Sequence, residues 1–390
     1  GEAYLTAQTI GHTGSGYEAF QLTYAGSAGD VVTLTATEDL GGGSYDSTSE
    51  FSAAATVGSA RVNSTGDSPD ATPGDHICDT GGTNSEGVSE CTLRAAIQEA
   101  DASARVDAVH FDIPTSETGY GAAPLRYTIR LGSALPAITQ PVTIDGTTQP
   151  DHPGTPVIDL WGIDLASDSG IEITAGSSTV RGLVIRNFPS HGILLDTGDT
   201  NVIESNYIGT DVTGAADFGN GGDGIHIRQG SSDNTVGGSG LGNVISANAG
   251  YGIDVTGNTV TGNTILGNLI GTNAAGTADL GNATDGIAIR NGAQNNTIGG
   301  LTVAERNIIS GTDNDGIWIT GTNTNDNIVQ GNWIGFGSDS SPIPNSVHGI
   351  GVENGASNNM IGGAIAAAAN RIGHSTWDGV AIANGTGTGN

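Results

Sequence analysis

The last two-thirds of the chain repeat one phrase three times. Asn206-Tyr-Ile-Gly-Thr-Asp, Asn268-Leu-Ile-Gly-Thr-Asn and Asn332-Trp-Ile-Gly-Phe-Gly each lead through a Gly- and Asn-rich stretch to a Gly-Ile pair. Gly271 lies 62 residues after Gly209, and Gly335 lies 64 after Gly271. Gly237, Gly299 and Gly362 keep nearly the same spacing, 62 and then 63. A fixed internal period is the mark of a solenoid, in which each unit is stable only because its neighbours cover its apolar face.

Each unit divides again. Gly-Ile signals at Gly170, Gly192, Gly224, Gly252, Gly286, Gly316 and Gly349, with Gly-Val at Gly379, are 22, 32, 28, 34, 30, 33 and 30 residues apart. These are the steps of single coils, so the longer period spans two. Within a coil the apolar runs are short and β-branched, as in Gly224-Ile-His-Ile, Asn234-Thr-Val-Gly-Gly and Asn243-Val-Ile-Ser. Alternation of period two with Gly and Asn at the corners predicts strand, turn, strand, turn. The fold class expected is all-β: a parallel β-helix of three short strands per coil, with Ile and Val turned inward. Asn201, Asn263 and Asn327 fall at corners, where Asn tolerates left-handed backbone and stacks in ladders, so their role is expected to be structural.

The 65 Gly among 390 residues recur with the period, so they punctuate strands and do not signal disorder. The 11 basic residues are all Arg, against 41 acidic ones, giving a net charge of −30. Such a chain repels nucleic acid and anionic membrane and favours cations. It has no apolar run near the ~20 residues needed to span a bilayer, so neither nucleic acid nor membrane insertion is expected.

Cys78 and Cys91 stand 13 residues apart in a loop-rich segment, and a disulfide is the expected state, a zinc site being the rival. Asp67, Asp70, Asp75 and Asp79 cluster around Pro69, Pro73 and Gly74; they are candidate ligands for calcium, which takes six to eight oxygens, with a solvated acidic loop as the alternative. No other cofactor is required by the sequence. Just beyond, Leu93, Ala96, Ile97 and Ala100 share one face of a short helix that Ser89 or Thr92 can cap. An open β-helix end exposes unpaired backbone, and this helix is the expected lid.

Cys91-Thr-Leu-Arg-Ala-Ala-Ile-Gln-Glu-Ala, with Asp75-His-Ile-Cys-Asp-Thr-Gly-Gly before it, resembles the Cys-Ser/Thr-Leu-Arg-Glu/Ala-Ala segment that introduces right-handed β-helices in large bacterial surface and secreted proteins. Leu135-Pro-Ala-Ile-Thr-Gln-Pro-Val-Thr-Ile-Asp-Gly-Thr-Thr-Gln-Pro is similar to that family's first coils. The resemblance, over residues 57–390, implies a pectin-lyase-like right-handed β-helix, capped at its amino end, in an extracellular or cell-surface protein. It implies no single activity, because this fold carries lyases, hydrolases, epimerases, tailspikes and adhesin stalks.

The first 56 residues differ in texture. Gln21-Leu-Thr-Tyr, Val31-Val-Thr-Leu-Thr-Ala-Thr and Phe51-Ser-Ala-Ala-Ala-Thr-Val alternate like antiparallel strands, and Thr48-Ser-Glu-Phe-Ser-Ala-Ala resembles the closing strand of small β-sandwich modules. The expected organisation is a partial sandwich-like module over 1–56, a linker with disulfide loop and capping helix over 57–115, and the β-helix over 116–390. Both ends suggest a piece of a longer tandem protein.

Aligning the coils on Gly-Ile stacks His191, Asp223, Tyr251, Asp285, Asp315, His348 and Asp378 in one column. A second holds Glu172, Leu194, His226, Asp254, Ala288, Trp318, Gly351 and Ala381, and a third contains Asp196, Arg228, Arg290 and Glu353. With coils ~4.8 Å apart, Asp285 and Asp315 are the candidate catalytic pair of a retaining glycosidase. Asp223, His226, Arg228, Tyr251, Asp254, Arg290, Trp318 and His348 are candidate binding residues for an acidic glycan. Asp before Gly is also a common turn pair that the repeat supplies without catalysis. The function expected is therefore a non-catalytic structural or adhesive segment, binding polysaccharide or assembling with its own copies into an array or filament. The alternative is a polysaccharide lyase or glycoside hydrolase acting in this groove.

Overall fold

The computed structural model describes residues 31–32, 35–39, 45–50, 55–56, 58–102, 107–383 and 389–390. The chain divides into two compact units, Gly1–Val57 and Gly58–Asn390. In the first, Val31–Val32 pairs antiparallel with Ala55–Thr56, and Thr35–Asp39 with Tyr45–Glu50. Parts of the expected strands at 31–37 and 51–57 are thus antiparallel strands, Tyr45–Glu50 is a partner that alternation did not give, and residues 21–24, 33–34, 51–54 and 57 lie outside the described residues.

The second unit is a parallel β-helix of three sheets. Sheet A has ten strands, from Ser59–Val62 and Ala108–Phe111 through Val202–Glu204, Thr235–Gly237 and Thr264–Leu266 to Met360–Ile361. Sheet B also has ten, including Leu125–Arg130, Ile158–Trp161, Leu183–Arg186 and Tyr207–Ile208, and ends at Trp333–Ile334 and Arg371–Ile372. Sheet C has eight: Ile171–Ile173, Ile193–Asp196, Ile225–Arg228, Ile253–Thr256, Ile287–Arg290, Ile317–Thr320, Ile350–Glu353 and Val380–Ile382. The chain visits the sheets in turn, and inward Ile and Val such as Ile225, Ile253, Ile287 and Ile317, each 0% exposed, stack into one continuous core.

Burying three corners per coil leaves backbone groups that water cannot reach, and buried polar groups must find partners. Asparagine supplies them. At the entry to sheet A, the amide N–H of Asn201 donates to Oδ1 of Asn234, Asn234 to Asn263, and so on through Asn296, Asn327 and Asn359 to Asn390, at 2.8–3.1 Å. A second ladder, Asn206, Asn243, Asn268, Asn307, Asn332 and Asn370, lines the corner between sheets A and B. A third, Asn220, Asn248 and Asn282, begins the corner between B and C. The structural role expected of Asn201, Asn263 and Asn327 is therefore met, by laddering. Left-handed backbone falls instead on neighbours such as Ser205, Asp233, Asn295 and Asn358.

The two-coil period also has a structural cause. Long loops leave sheet B after Gly209, Gly271 and Gly335, in alternate coils, and rest on one another: Ala274 N–H donates to Gly214 O at 2.8 Å and Ser338 N–H to Gly276 O at 2.7 Å. Gly214, at φ +63°, sits so close to the next loop that a Cβ there would lie 2.4 Å from that of Ala274.

The helix spans Leu93–Ala102 and buries Leu93, Ala96, Ile97 and Ala100 in the core with Val62, Val109 and Phe111. Thr92, and not Ser89, caps it, its Oγ1 accepting from Ala95 N–H at 3.0 Å. Cys78 and Cys91 are joined as a disulfide.

Two expectations are corrected. The β-helix does not start at 116: Ala60 and Val62 already point into its core, and Ser59–Val62 pairs in parallel with Ala108–Phe111. Nor do Asp67, Asp70, Asp75 and Asp79 gather as a calcium cage. Asp67 takes the Arg94 guanidinium at 3.0 Å, while Asp70, Asp75 and Asp79 accept backbone N–H groups of Thr72, Ile77 and Gly81 at 2.6–2.9 Å. A short loop satisfies its own amides with these carboxylates.

Asn263 lies mid-ladder, its Nδ2 donating to Ser231 O and its Oδ1 accepting from Asn234. Asn263→Ala leaves several buried partners unpaired and is expected to cost about 2–4 kcal/mol in urea unfolding, whereas Thr277→Ala on an exposed loop should cost under about 0.5. Equal costs would refute the ladder as a principal source of stability.

Candidate active site on sheet C

Strand alternation sends every second side chain of sheet C outward. Register pairing places Glu172, Leu194, His226, Asp254, Ala288, Trp318, Gly351 and Ala381 on successive rungs, the column obtained by aligning Gly-Ile pairs. Asp196 pairs with Arg228, and Thr256 with Arg290, in the next column.

The column before Gly-Ile brackets the rungs together. Asp223 Oδ1 accepts the N–H of Tyr251, Asp285 Oδ1 that of Asp315, and Asp315 Oδ1 that of His348, each at 2.8 Å. Most of the repeated Asp is thus accounted for by backbone satisfaction. Asp285 is only 1% exposed, and burial, then the neighbouring Asp315 charge, pushes its carboxyl up to about 7. Asp315, also raised by burial, pairs with His348 Nδ1 at 2.9 Å, and His348 packs edge-on to Trp377. The expected glycosidase pair is therefore turned to rung-to-rung bonding, and Asp285 lacks the exposure with which to attack a sugar.

One stretch departs from the repeat. His226 Nδ1 lies 2.8 Å from Asp223 Oδ2 and 3.1 Å from Asp254 Oδ2. Asp254, 0% exposed, also holds Arg290 through both oxygens at 2.9 and 2.7 Å. Burial disfavours the imidazolium, but the two carboxylates outweigh it and raise the His226 pKa to about 9. Asp223 is likewise raised by burial yet held net below the usual carboxylate range by His191 and His226. With Nδ1 committed, Nε2 of His226 has no hydrogen-bond partner among the described residues. Arg228 holds Asp196 at 2.9 Å, and Arg290 also stands over the Tyr251 ring at 5.4 Å. Tyr251 and Trp318 lie nearly parallel, centroids 6.4 Å apart, across the small Ala288 rung. Trp318 Nε1 donates to Glu353 at 2.8 Å.

The sequence did not single out His191 as a partner, although His-Gly-Ile in place of Asp-Gly-Ile was the available signal. Its ring stacks on His226 at 4.5 Å. Its Nδ1 is 3.0 Å from Asp223 N and 3.1 Å from Asp223 Oδ2, so it accepts from the first or, protonated, donates to the second. His191, Asp223 and His226 are the one set among the described residues whose ligating atoms gather, within 4.8 Å. Two nitrogens and one oxygen suit a zinc-type ion better than calcium. Shared protons account for the same distances, since each short contact joins an imidazole nitrogen to a carboxylate oxygen or an amide.

Residues 169–376 match the profile of the family described as the right handed beta helix region. The chain belongs to that family. Among solved structures, this β-helix resembles the periplasmic alginate epimerase AlgG at 15% identity and TM-score 0.37, over 71% of this chain and 76% of that one. It also resembles an alginate lyase from Paenibacillus sp. (13%, TM-score 0.38, 73% and 95%) and pectate lyase Pel9A (9%, TM-score 0.33, 84% and 78%). A search of the curated proteins finds no match. Likeness at this level assigns no chemistry to sheet C of this β-helix.

Because Asp285 keeps its proton more tightly folded than unfolded, the wild-type β-helix loses stability as pH rises from about 4 to about 7. Asp285→Asn keeps an acceptor for Asp315 N–H and removes the buried charge. It should raise stability at pH 8 by on the order of 3 kcal/mol and change little near pH 4. Thermal melts at the two pH values check this; an equal shift at both would contradict the raised pKa.

Proposed function

We propose that the β-helix modifies an acidic polysaccharide by β-elimination at a uronate residue, on the outer face of sheet C. The observation that supports it best is His226, anchored at Nδ1 by two carboxylates with Nε2 left for a ligand. A buried Asp-His-Asp-Arg chain costs desolvation that a plain rod could avoid, and perturbed groups of this kind concentrate at functional sites. In the proposed reaction, Arg228 and Arg290 offset the uronate carboxylate, which makes the adjacent C5 proton easier to remove. Nε2 takes that proton, the C4–O bond breaks as the C4–C5 double bond forms, and the departing oxygen receives a proton from Tyr251, kept as the neutral phenol by burial. Trp318 and Tyr251 supply an aromatic platform for the sugar rings. The disulfide agrees with an extracellular or cell-surface setting, which belongs to the same proposal.

The structural or adhesive reading keeps one observation in its favour: Asp223, Asp285 and Asp315 bracket successive rungs, which serves a rod with or without a substrate. Turnover separates the two. With polygalacturonate or polymannuronate, the ultraviolet absorbance of the unsaturated product should grow, and His226→Ala should slow it by about 10²–10⁴ with the fold kept, the melting temperature falling because Asp223 and Asp254 lose the imidazolium they share. The rate should rise about tenfold per pH unit and level off near the His226 pKa of about 9, where the base is free of its proton. Asp254→Asn should move that rise to lower pH. Absence of product on both polymers from neutral to alkaline pH, with intact fold, would leave the rod reading in possession.

A further inference from the structure

A second site stands on a different face. Between the antiparallel hairpin of Tyr120–Ala122 and Leu125–Arg130, at the edge of sheet B, and the loop carrying Asp211 and Phe218 lies a cavity of ≈ 650 Å³. Its lining includes three arginines, Arg126, Arg130 and Arg186, against two aspartates, Asp159 and Asp211, in a chain whose net charge is −30. With Asp164 on Arg130 the charges of the wall balance, which in so acidic a chain leaves room for one arginine without a partner.

Two of the three guanidiniums are fixed and neutralised. Arg130, Trp161 and Arg186 are in register on adjacent strands, and the guanidinium carbons sit 5.0 and 4.7 Å from the Trp161 ring centroid. Arg186 binds the buried Asp159 at 2.7 and 2.8 Å and also lies 4.9 Å over Phe218, while Arg130 is paired with Asp164. Arg126 is different. It makes no ion pair among the described residues, and its nearest polar contact is the Pro124 carbonyl at 3.5 Å. It is nevertheless seated: across the hairpin it faces Gly121, where a Cβ would fall 2.8 Å from the guanidinium carbon. Asp211, the other lining acid, already accepts from Thr213 Oγ1 and from the amides of Ala215 and Ala216.

We propose that this cavity binds the carboxylate-bearing residue of an acidic saccharide, with Arg126 as the guanidinium that takes the carboxylate. A cavity of this volume accepts an organic ligand of several rings, of which an inorganic anion would fill a small part. Its walls combine apolar surface from Tyr120, Pro124 and Phe218 with the hydroxyl of Thr118, the mixture that a sugar's apolar face and hydroxyl groups match. A guanidinium meets a carboxylate through two parallel hydrogen bonds, and in an otherwise acidic protein that fork selects the anionic sugar from neutral ones. The site lies on sheet B and does not depend on any reaction at sheet C.

The test uses the full chain carrying His226→Ala, so that no turnover consumes the probe, with and without Arg126→Gln. Trigalacturonate, maltotriose and inorganic sulfate are titrated by calorimetry and by the arginine side-chain NMR signals. Trigalacturonate should move the Arg126 signal, and Arg126→Gln should weaken that binding by about tenfold or more. Maltotriose and sulfate should leave the Arg126 signal in place. A shift of equal size with sulfate or maltotriose, no shift with trigalacturonate at millimolar concentration, or undiminished affinity in Arg126→Gln would each overturn the proposal.

Discussion

The asparagine ladders are the interaction on which the rest of the molecule depends. A coil of about 30 residues with only two to six residues per strand cannot close three corners unless the buried amides at each are satisfied. A side-chain amide does this with one group: its carbonyl accepts from the coil on one side while its N–H donates toward the other. Asn234, Asn263 and Asn296 are each 0% exposed and tied to both neighbouring rungs. Once the corners are fixed, strand register follows, and register brings side chains 30 residues apart onto adjacent rungs.

Sheet C shows how chemistry can be set into so regular a scaffold. At His191, Asp223, Asp285 and Asp315 the side chain before Gly-Ile accepts the next rung's amide, and Asp or His both meet that need. Asp285 and Asp315 each spend one oxygen in this way, and on Asp315 the same oxygen also holds the His348 ring. At Asp223 the second oxygen remains, and the rungs on either side offer His191, His226 and Asp254 to it and to one another. The site is therefore built from a structural acceptor with one oxygen to spare. Arg290 closes the chain by holding Asp254, and its guanidinium reaches over Tyr251.

Much of this was legible from the sequence, because Gly-Ile, or Gly-Val at the last, marks the start of each sheet C strand and so lets columns be aligned by eye. The pairing of His226 with Asp254 and of Ala288 with Trp318 follows from that marker. What the columns could not tell was which carboxylates are spent on backbone, since an N–H accepted from the next rung has no sequence signature. That is why Asp285 and Asp315 looked like a reactive pair. The Asn-X-Ile marker of sheet B begins only at Asn206, and the strands before it carry no such signal, so the alignment of Arg130, Trp161 and Arg186 stayed hidden. The first strand, Ser59–Val62, was missed because the helix and the disulfide loop separate it from the strand it pairs with.

The stacked loops after Gly209, Gly271 and Gly335 have a consequence for how such a chain can change in length. Each loop rests on one two coils away, and the coil between carries none. Removal of a single coil would place a long loop directly against a coil whose short corner has nothing to support it, and would break the stack beyond that point. Removal or duplication of a pair restores every loop contact. The module of growth and of recombination is therefore the double coil, and chimaeras joined out of phase should fold only up to the junction.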